Sequence, residues 1–103
     1  MPGATPFPLS RPKAAAILRQ AAQAEDRVAF TIHAVRQMRR RHITRLQVFN
    51  CLARGRIVEG PAPDVYGNWT CRVEGFAAGQ TIGVAAAIIP PDEVVIITVF
   101  WVD

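Results

Sequence analysis

Apart from a short alternating stretch before Thr31, the spacing of apolar residues changes from helical to strand period at Gly55, and that change limits the folds open to the chain. Before Gly55 the apolar positions recur at helical intervals; after it they alternate or run together in β-branched and aromatic types. Helices followed by strands, rather than interleaved with them, point to an α+β domain instead of an alternating α/β fold with a parallel sheet. A chain of 103 residues is enough for one core and too short for two. Half of it is hydrophobic and 19% charged, which excludes intrinsic disorder over most of the length.

Residues 1–9 hold three prolines and a glycine without any period, so residues 1–10 read as a flexible arm. Ser10 offers an N-cap, Pro12 fits a first helical turn, and the alanine-rich stretch to Ala24 predicts an accessory helix within 11–26, lying outside the main domain or covering a partner surface. Residues 27–103 form the single α+β domain. Arg27 to Phe30 alternates as a short strand does, and Thr31 can cap a helix starting at Ile32, whose apolar side takes in Ala34, Val35, Met38 and His42. Thr44-Arg45-Leu46-Gln47 is a capping box, so a further helix begins at Arg45. Leu46, Phe49, Leu52 and Ala53 supply its buried face, and Gly55 ends it as a left-handed residue.

Beyond Gly55 the reading is a short strand at Ile57-Val58, a loop over Gly60 to Asp64, and a half-buried strand in which Trp69, Cys71 and Val73 alternate with polar residues. Ala77-Ala78-Gly79 turns the chain into an interior strand from Thr81 to Ile89, and Pro90-Pro91-Asp92 turns it again into Val94 to Trp101. Short connections favour a mainly antiparallel sheet of about four strands, with the helical pair packed on it. No run reaches the roughly 18 apolar residues of a membrane span, and the first residues lack the pattern of a secretory signal. A soluble, cytoplasmic protein is expected, with Cys51 and Cys71 reduced and buried; a disulfide between them stays open if the fold brings them together.

The charge is concentrated. Lysine and arginine total 12 against 8 acids, but from Arg27 to Arg56 there are eight arginines and no acid. Within that window His33, Gln37 and Arg41 follow at intervals of one helical turn and make a polar stripe beside the apolar one. A histidine in a helix's opening turn is disfavoured as imidazolium by the helix dipole, which suits a general base. A guanidinium at Arg41 can hold phosphate through paired charge-assisted bonds. Arg36, Arg39, Arg40, Arg45, Arg54 and Arg56 extend a basic surface that attracts nucleic acid irrespective of sequence. Tyr66 and Trp69 are placed where an aromatic stacks a base or, more often, holds a loop on the sheet. Arg72 adds a further positive charge, and Thr98 interrupts an apolar strand with a hydroxyl. There is no P-loop, no dinucleotide fingerprint and no ligand cluster for a metal, so neither cofactor nor metal is expected.

The segment His33-Ala34-x-x-Gln37-Met38-x-x-Arg41-x-Ile43, the helix to Gly55 and the late Ile96-Ile97-Thr98-Val99-Phe100 resemble the bacterial domain-of-unknown-function family 4258 over about residues 28–102. The element order of that family is similar to RelE-like and BrnT-like toxins of toxin–antitoxin pairs, which cleave RNA. The resemblance implies His33, Gln37, Arg41 and Thr98 as the motif residues. In many relatives arginine stands in place of Gln37 and glycine in place of His42.

Two functions of different class follow. One is a metal-independent endoribonuclease toxin, in which His33 takes the proton of a ribose 2′-OH while Arg41, helped by Arg40, stabilises charge on the phosphate. Its partners are RNA and an antitoxin or other inhibitor that covers the basic stripe. The other is a non-catalytic basic module that binds a protein or nucleic acid, as a homodimer through an edge strand or through the alanine-rich helix.

Overall fold

A computed structural model describes residues 9–77 and 79–103. The proposed arm, through residue 8, and Ala78 of the expected turn lie outside the described residues. Three helices, α1 (Arg11–Ala22), α2 (Ile32–Arg41) and α3 (Arg45–Arg54), precede or join five strands: β1 (Val28–Phe30), β2 (Arg56–Pro63), β3 (Trp69–Ala77), β4 (Gln80–Ile89) and β5 (Glu93–Val102). The strands form one sheet in the order β1-β5-β4-β3-β2. The four long strands are the antiparallel meander expected from their short connections. The fifth, β1, pairs in parallel with β5, so the sheet is mixed and has one strand more than the meander supplies.

Strand alternation divides the sheet into two faces. Rows such as Val73–Val84–Val99 and Cys71–Ala86–Ile96 turn toward the helices and are almost fully buried. Rows such as Arg72–Ala85–Thr98 and Glu74–Gly83–Phe100 turn to the other face. There the Phe100 ring lies over Gly83 so closely that a Cβ at residue 83 would sit 2.3 Å from it. The interior strand is therefore covered on its second side by a neighbouring aromatic side chain and not by another layer.

The helices differ from expectation in ways that share one cause, the close stacking of α1, α3 and the sheet. Ala14, Leu18 and Ala21 of α1 are at most 1% exposed and belong to the same core as the strands, so α1 is built into the domain and is not an accessory. The alanines let it approach α3 closely. Because α3 is held between α1 and the sheet, its buried residues are Val48, Phe49, Cys51 and Leu52, whereas Leu46 is 69% exposed and Ala53 only partly covered. The capping box at Thr44 and Gln47 is present as expected, with bonds of 3.1 and 2.9 Å.

Gly55 is not left-handed: its φ of −75° and ψ of 179° are those of extended chain. Glycine is needed there for space, since a Cβ would lie 2.5 Å from the carbonyl oxygens of both Cys51 and Glu74. The left-handed residue is His42, with φ 57° and ψ 44°, which ends α2 and is exposed instead of sharing the helix's apolar side. The proline-rich segment expected as a loop after Val58 belongs to β2, which continues through Pro63 with two register shifts. It can do so because β2 is an edge strand, where proline's missing N–H leaves no ladder bond unmade. The first residue of α1 also holds it: Arg11 Nε donates to Gly60 O at 2.7 Å.

Truncating Leu18 tests the place of α1. Leu18→Ala is expected to lower unfolding free energy by about 2–5 kcal/mol in a urea titration, as for any fully enclosed leucine. A loss within about 0.5 kcal/mol, the range of surface substitutions, would show that α1 is dispensable.

Candidate nucleic-acid interface

The candidate residues sit mainly on α2, and α2 is fastened to β5 at both ends. At its start Thr31 N donates to Ile96 O (3.1 Å), the Thr31 hydroxyl donates to Ile97 O (3.0 Å), and the same hydroxyl oxygen accepts from Ala34 N (2.9 Å) as the N-cap. At its end Trp101 Nε1 donates to Arg41 O at 2.8 Å. Ala34 is fully buried between these points and Met38 packs on the core. With that side fixed, the helical wheel turns Ile32, Arg36 and Arg40 outward, with His33, Gln37 and Arg41 along one border and Val35, Met38 and Arg39 along the other.

Along the first border Arg41 Nε donates to Gln37 Oε1 at 3.0 Å. That bond orients the guanidinium and leaves its terminal nitrogens available. His33 is exposed and among the described residues its side chain has no hydrogen-bond partner. Its Cα lies about 12 Å along the helix from that of Arg41. Thr98 belongs to the other face of the sheet, in the row of Arg72 and Ala85, two strand spacings or roughly 10 Å from Arg72. The hollow on that face is lined by Arg72, Ala85, Ile97, Phe100 and their β2 neighbours, not by Thr98 or any residue of α2. His33, Gln37 and Arg41 are thus brought onto one stripe, while Thr98 and Arg72 are not brought to it through that hollow.

The basic window is also divided by partners that are distant in sequence. Arg27 pairs with Asp92 at 3.2 Å, and Arg45 reaches Glu25 at 3.9 Å while its guanidinium lies 4.7 and 5.3 Å from the ring centres of Phe30 and Phe49. Arg72 approaches Glu59 (3.8 Å) and Glu74 (3.5 Å) and stacks on Phe100 at 4.6 Å. The charges of Arg45 and Arg72 are thereby partly answered within the domain. Arg36, Arg39, Arg40, Arg41, Arg54 and Arg56 are exposed and have no ion pair among the described residues.

The two aromatic candidates part company. Tyr66 is 83% exposed in a turn held by Asp64, whose carboxylate accepts from Tyr66 N and Asn68 N at 2.8 and 3.0 Å. Trp69 is packed against the core, on the helical face of β3. An exposed aromatic outside the sequence-based set is Phe76, 81% exposed between hollows that Arg54 also lines. Alternation of β3 signals that Phe76 faces away from the helices, but its nearness to Arg54 depends on tertiary packing.

The comparisons with known proteins bear on the same stretch of chain. A family model described as Domain of unknown function (DUF4258) matches residues 30–101. The chain belongs to that family. No curated protein and no solved structure matches. The DUF4258 match takes in β1's last residue, the arginine-bearing α2, α3 and nearly all of the meander, and leaves α1 outside. Among the described residues no helix is long and apolar enough to cross a membrane, and no cluster of three or more metal-ligating side chains occurs.

Both cysteines are buried and free. Desolvation, aided by Glu74, pushes the Cys51 thiol up to about 12, and desolvation pushes that of Cys71 up to about 11, from an ordinary 9.0. The unfolded chain therefore loses these protons first as pH rises. Stability is expected to decline above pH 9, where the unfolded thiols ionise and the folded ones do not. Native protein at pH 8 is expected to resist a thiol reagent that labels urea-unfolded chain at once; equal labelling rates would contradict the burial.

Proposed function

We propose that this domain binds RNA through its phosphates along α2. The observation that carries the reading is the set Arg36, Arg39, Arg40 and Arg41, exposed and without ion pairs among the described residues, on a helix whose other side is fixed to β5. Such charges release condensed counterions when they meet a polyanion, so affinity falls steeply with salt. Burial of the remaining arc of α2 keeps the arginines on one surface without an ordering cost at each encounter. Arg56 adds to the same attraction from β2, and Tyr66 offers an exposed ring.

Metal-independent RNA cleavage is the second reading, and the bond between Gln37 and Arg41 favours it. It pre-orients a phosphate-binding guanidinium on the stripe that also carries an exposed histidine. In this reading His33 removes the 2′-OH proton, the freed oxygen bonds to the adjacent phosphorus while the bond to the 5′-oxygen breaks and that oxygen takes a proton from water; Arg41 and Arg40 stabilise the phosphorane-like charge, Gln37 positions Arg41, and Thr98 is the outlying motif residue. The protein would then be a toxin of the RelE-like or BrnT-like kind, acting in the cytoplasm and restrained by an antitoxin that covers α2. The helical pair ahead of an antiparallel meander supports the likeness in element order.

Titration of labelled RNA at several salt concentrations tests the binding. Replacing Arg36, Arg39 and Arg40 together by glutamine is expected to weaken binding and flatten the salt dependence by about 2 units of slope. An unchanged slope would remove the α2 interface. Incubation with structured cellular RNA then separates the two readings: under cleavage His33→Ala slows the reaction about 10²–10⁴-fold, whereas under binding alone neither protein cuts and His33→Ala retains affinity.

A further inference from the structure

Phe76 is an apolar side chain that the fold does not bury. It is 81% exposed although it lies inside β3, paired with Thr81 of β4. Two surface hollows adjoin it, and Arg54 lines both. One, of about 430 Å³, also takes in Arg56 and Glu74; the other takes in Asn50. Gly55 and Gly75 line both hollows and pack on each other, a Cβ at residue 75 falling 3.4 Å from Gly55 Cα. Neither Arg54 nor Arg56 has an ion pair among the described residues, and Glu74 approaches Arg72 at 3.5 Å.

An exposed ring beside two guanidinium groups that have no ion pair among the described residues has the composition of a nucleotide-stacking platform. Stacking is tolerant of base identity because every base has a π face, and the arginines supply the attraction for the flanking phosphates. The end of α3 carries partial negative charge that opposes an anion, so both arginines are needed to draw phosphate there. A base inside a duplex has its faces already occupied by its neighbours and cannot use the ring.

Gly75, next to Phe76, lies in one row with Ile82 and Trp101, and Trp101 holds the carbonyl of Arg41. Arg41 and Phe76 thus lie toward the same end of the sheet but on opposite sides of it, since Phe76 faces away from the helices. We propose that Phe76, flanked by Arg54 and Arg56, stacks one base of a single-stranded RNA. This rests on the reading of α2 as an RNA-binding surface and adds strandedness to it.

Fluorescence anisotropy with a labelled oligouridylate of about eight nucleotides, and with an RNA duplex of similar length, tests the site. Phe76→Ala, at an exposed position, is expected to leave the urea midpoint unchanged, weaken single-strand binding roughly 5- to 100-fold and spare the duplex. Phe76→Trp is expected to restore affinity, with its added fluorescence quenched by the oligouridylate. Arg54→Gln with Arg56→Gln is expected to lower the single-strand salt slope by about 1.4. If Phe76→Ala binds the single strand within twofold of the parent while the triple α2 variant is impaired, the stacking site is wrong and the α2 reading stands. If the parent protein binds neither RNA, both fall. A dimer in sedimentation that Phe76→Ala dissociates would assign the ring to contact between copies and overturn the proposal.

Discussion

The attachment of α2 to β5 is the constraint on which the rest of the arrangement depends. Beyond Ile96, where its parallel pairing with β1 ends, β5 would otherwise present an open edge beside the helix. Thr31 extends the backbone contact there, and its hydroxyl serves both strand and helix, donating to Ile97 O while capping α2. Trp101 closes the other end by binding a carbonyl of the last turn of α2, which has no partner within the helix. A helix that carries three consecutive arginines in its last turn is a poor candidate for independent stability, even though cations suit that end of the dipole. Packing of Ala34 and Met38, together with the two attachments, keeps it in place.

Fixing α2 also determines which charges are available outside. Acids absent from the basic window in sequence return to it in space: Asp92 comes from the turn between β4 and β5, and Glu25 from the segment before β1. They meet Arg27 and Arg45, close to the Phe30–Phe49 contact that joins β1 to α3 with ring centres 6.1 Å apart. Among the described residues no acid forms an ion pair with α2, Arg54 or Arg56, and Glu74, which stands across from Arg56, reaches Arg72 instead. The asymmetry of the chain thus becomes two groups of exposed arginines without such ion pairs, on α2 and at Arg54 and Arg56, while Arg27 and Arg45 are answered within the domain.

The change of period at Gly55 made the helix-then-sheet order and the antiparallel meander legible, and the capping box marked the start of α3 to the residue. Burial on α3 was less legible, because a wheel drawn for one covering layer places Leu46 inside, whereas contact with both α1 and the sheet rotates the buried arc toward Val48 and Cys51. Glycine at residue 55 was recognisable as necessary, but sequence cannot distinguish a left-handed angle from a crowded approach to Cys51 O and Glu74 O. The stripe of His33, Gln37 and Arg41 follows from helical spacing alone. That Arg72 is answered by two glutamates, that Trp69 faces the core and that Phe76 stands beside Arg54 are cross-strand or interlayer facts with no local signal.

The parallel pairing of β1 with β5 joins an early part of the chain to its last described strand, with every other strand lying between them in sequence. During synthesis β1 and α2 leave the ribosome well before the surface that receives them exists. The arginine-rich helix has neither Ile96 and Ile97 to bind at one end nor Trp101 at the other until β5 is made. Contacts of such long sequence separation are slow to form because the intervening chain must first be closed into a loop. The domain therefore acquires its basic surface as an ordered unit only once β5 is in place, and a nascent chain that stops short of β5 carries the same arginines without the geometry that aligns them.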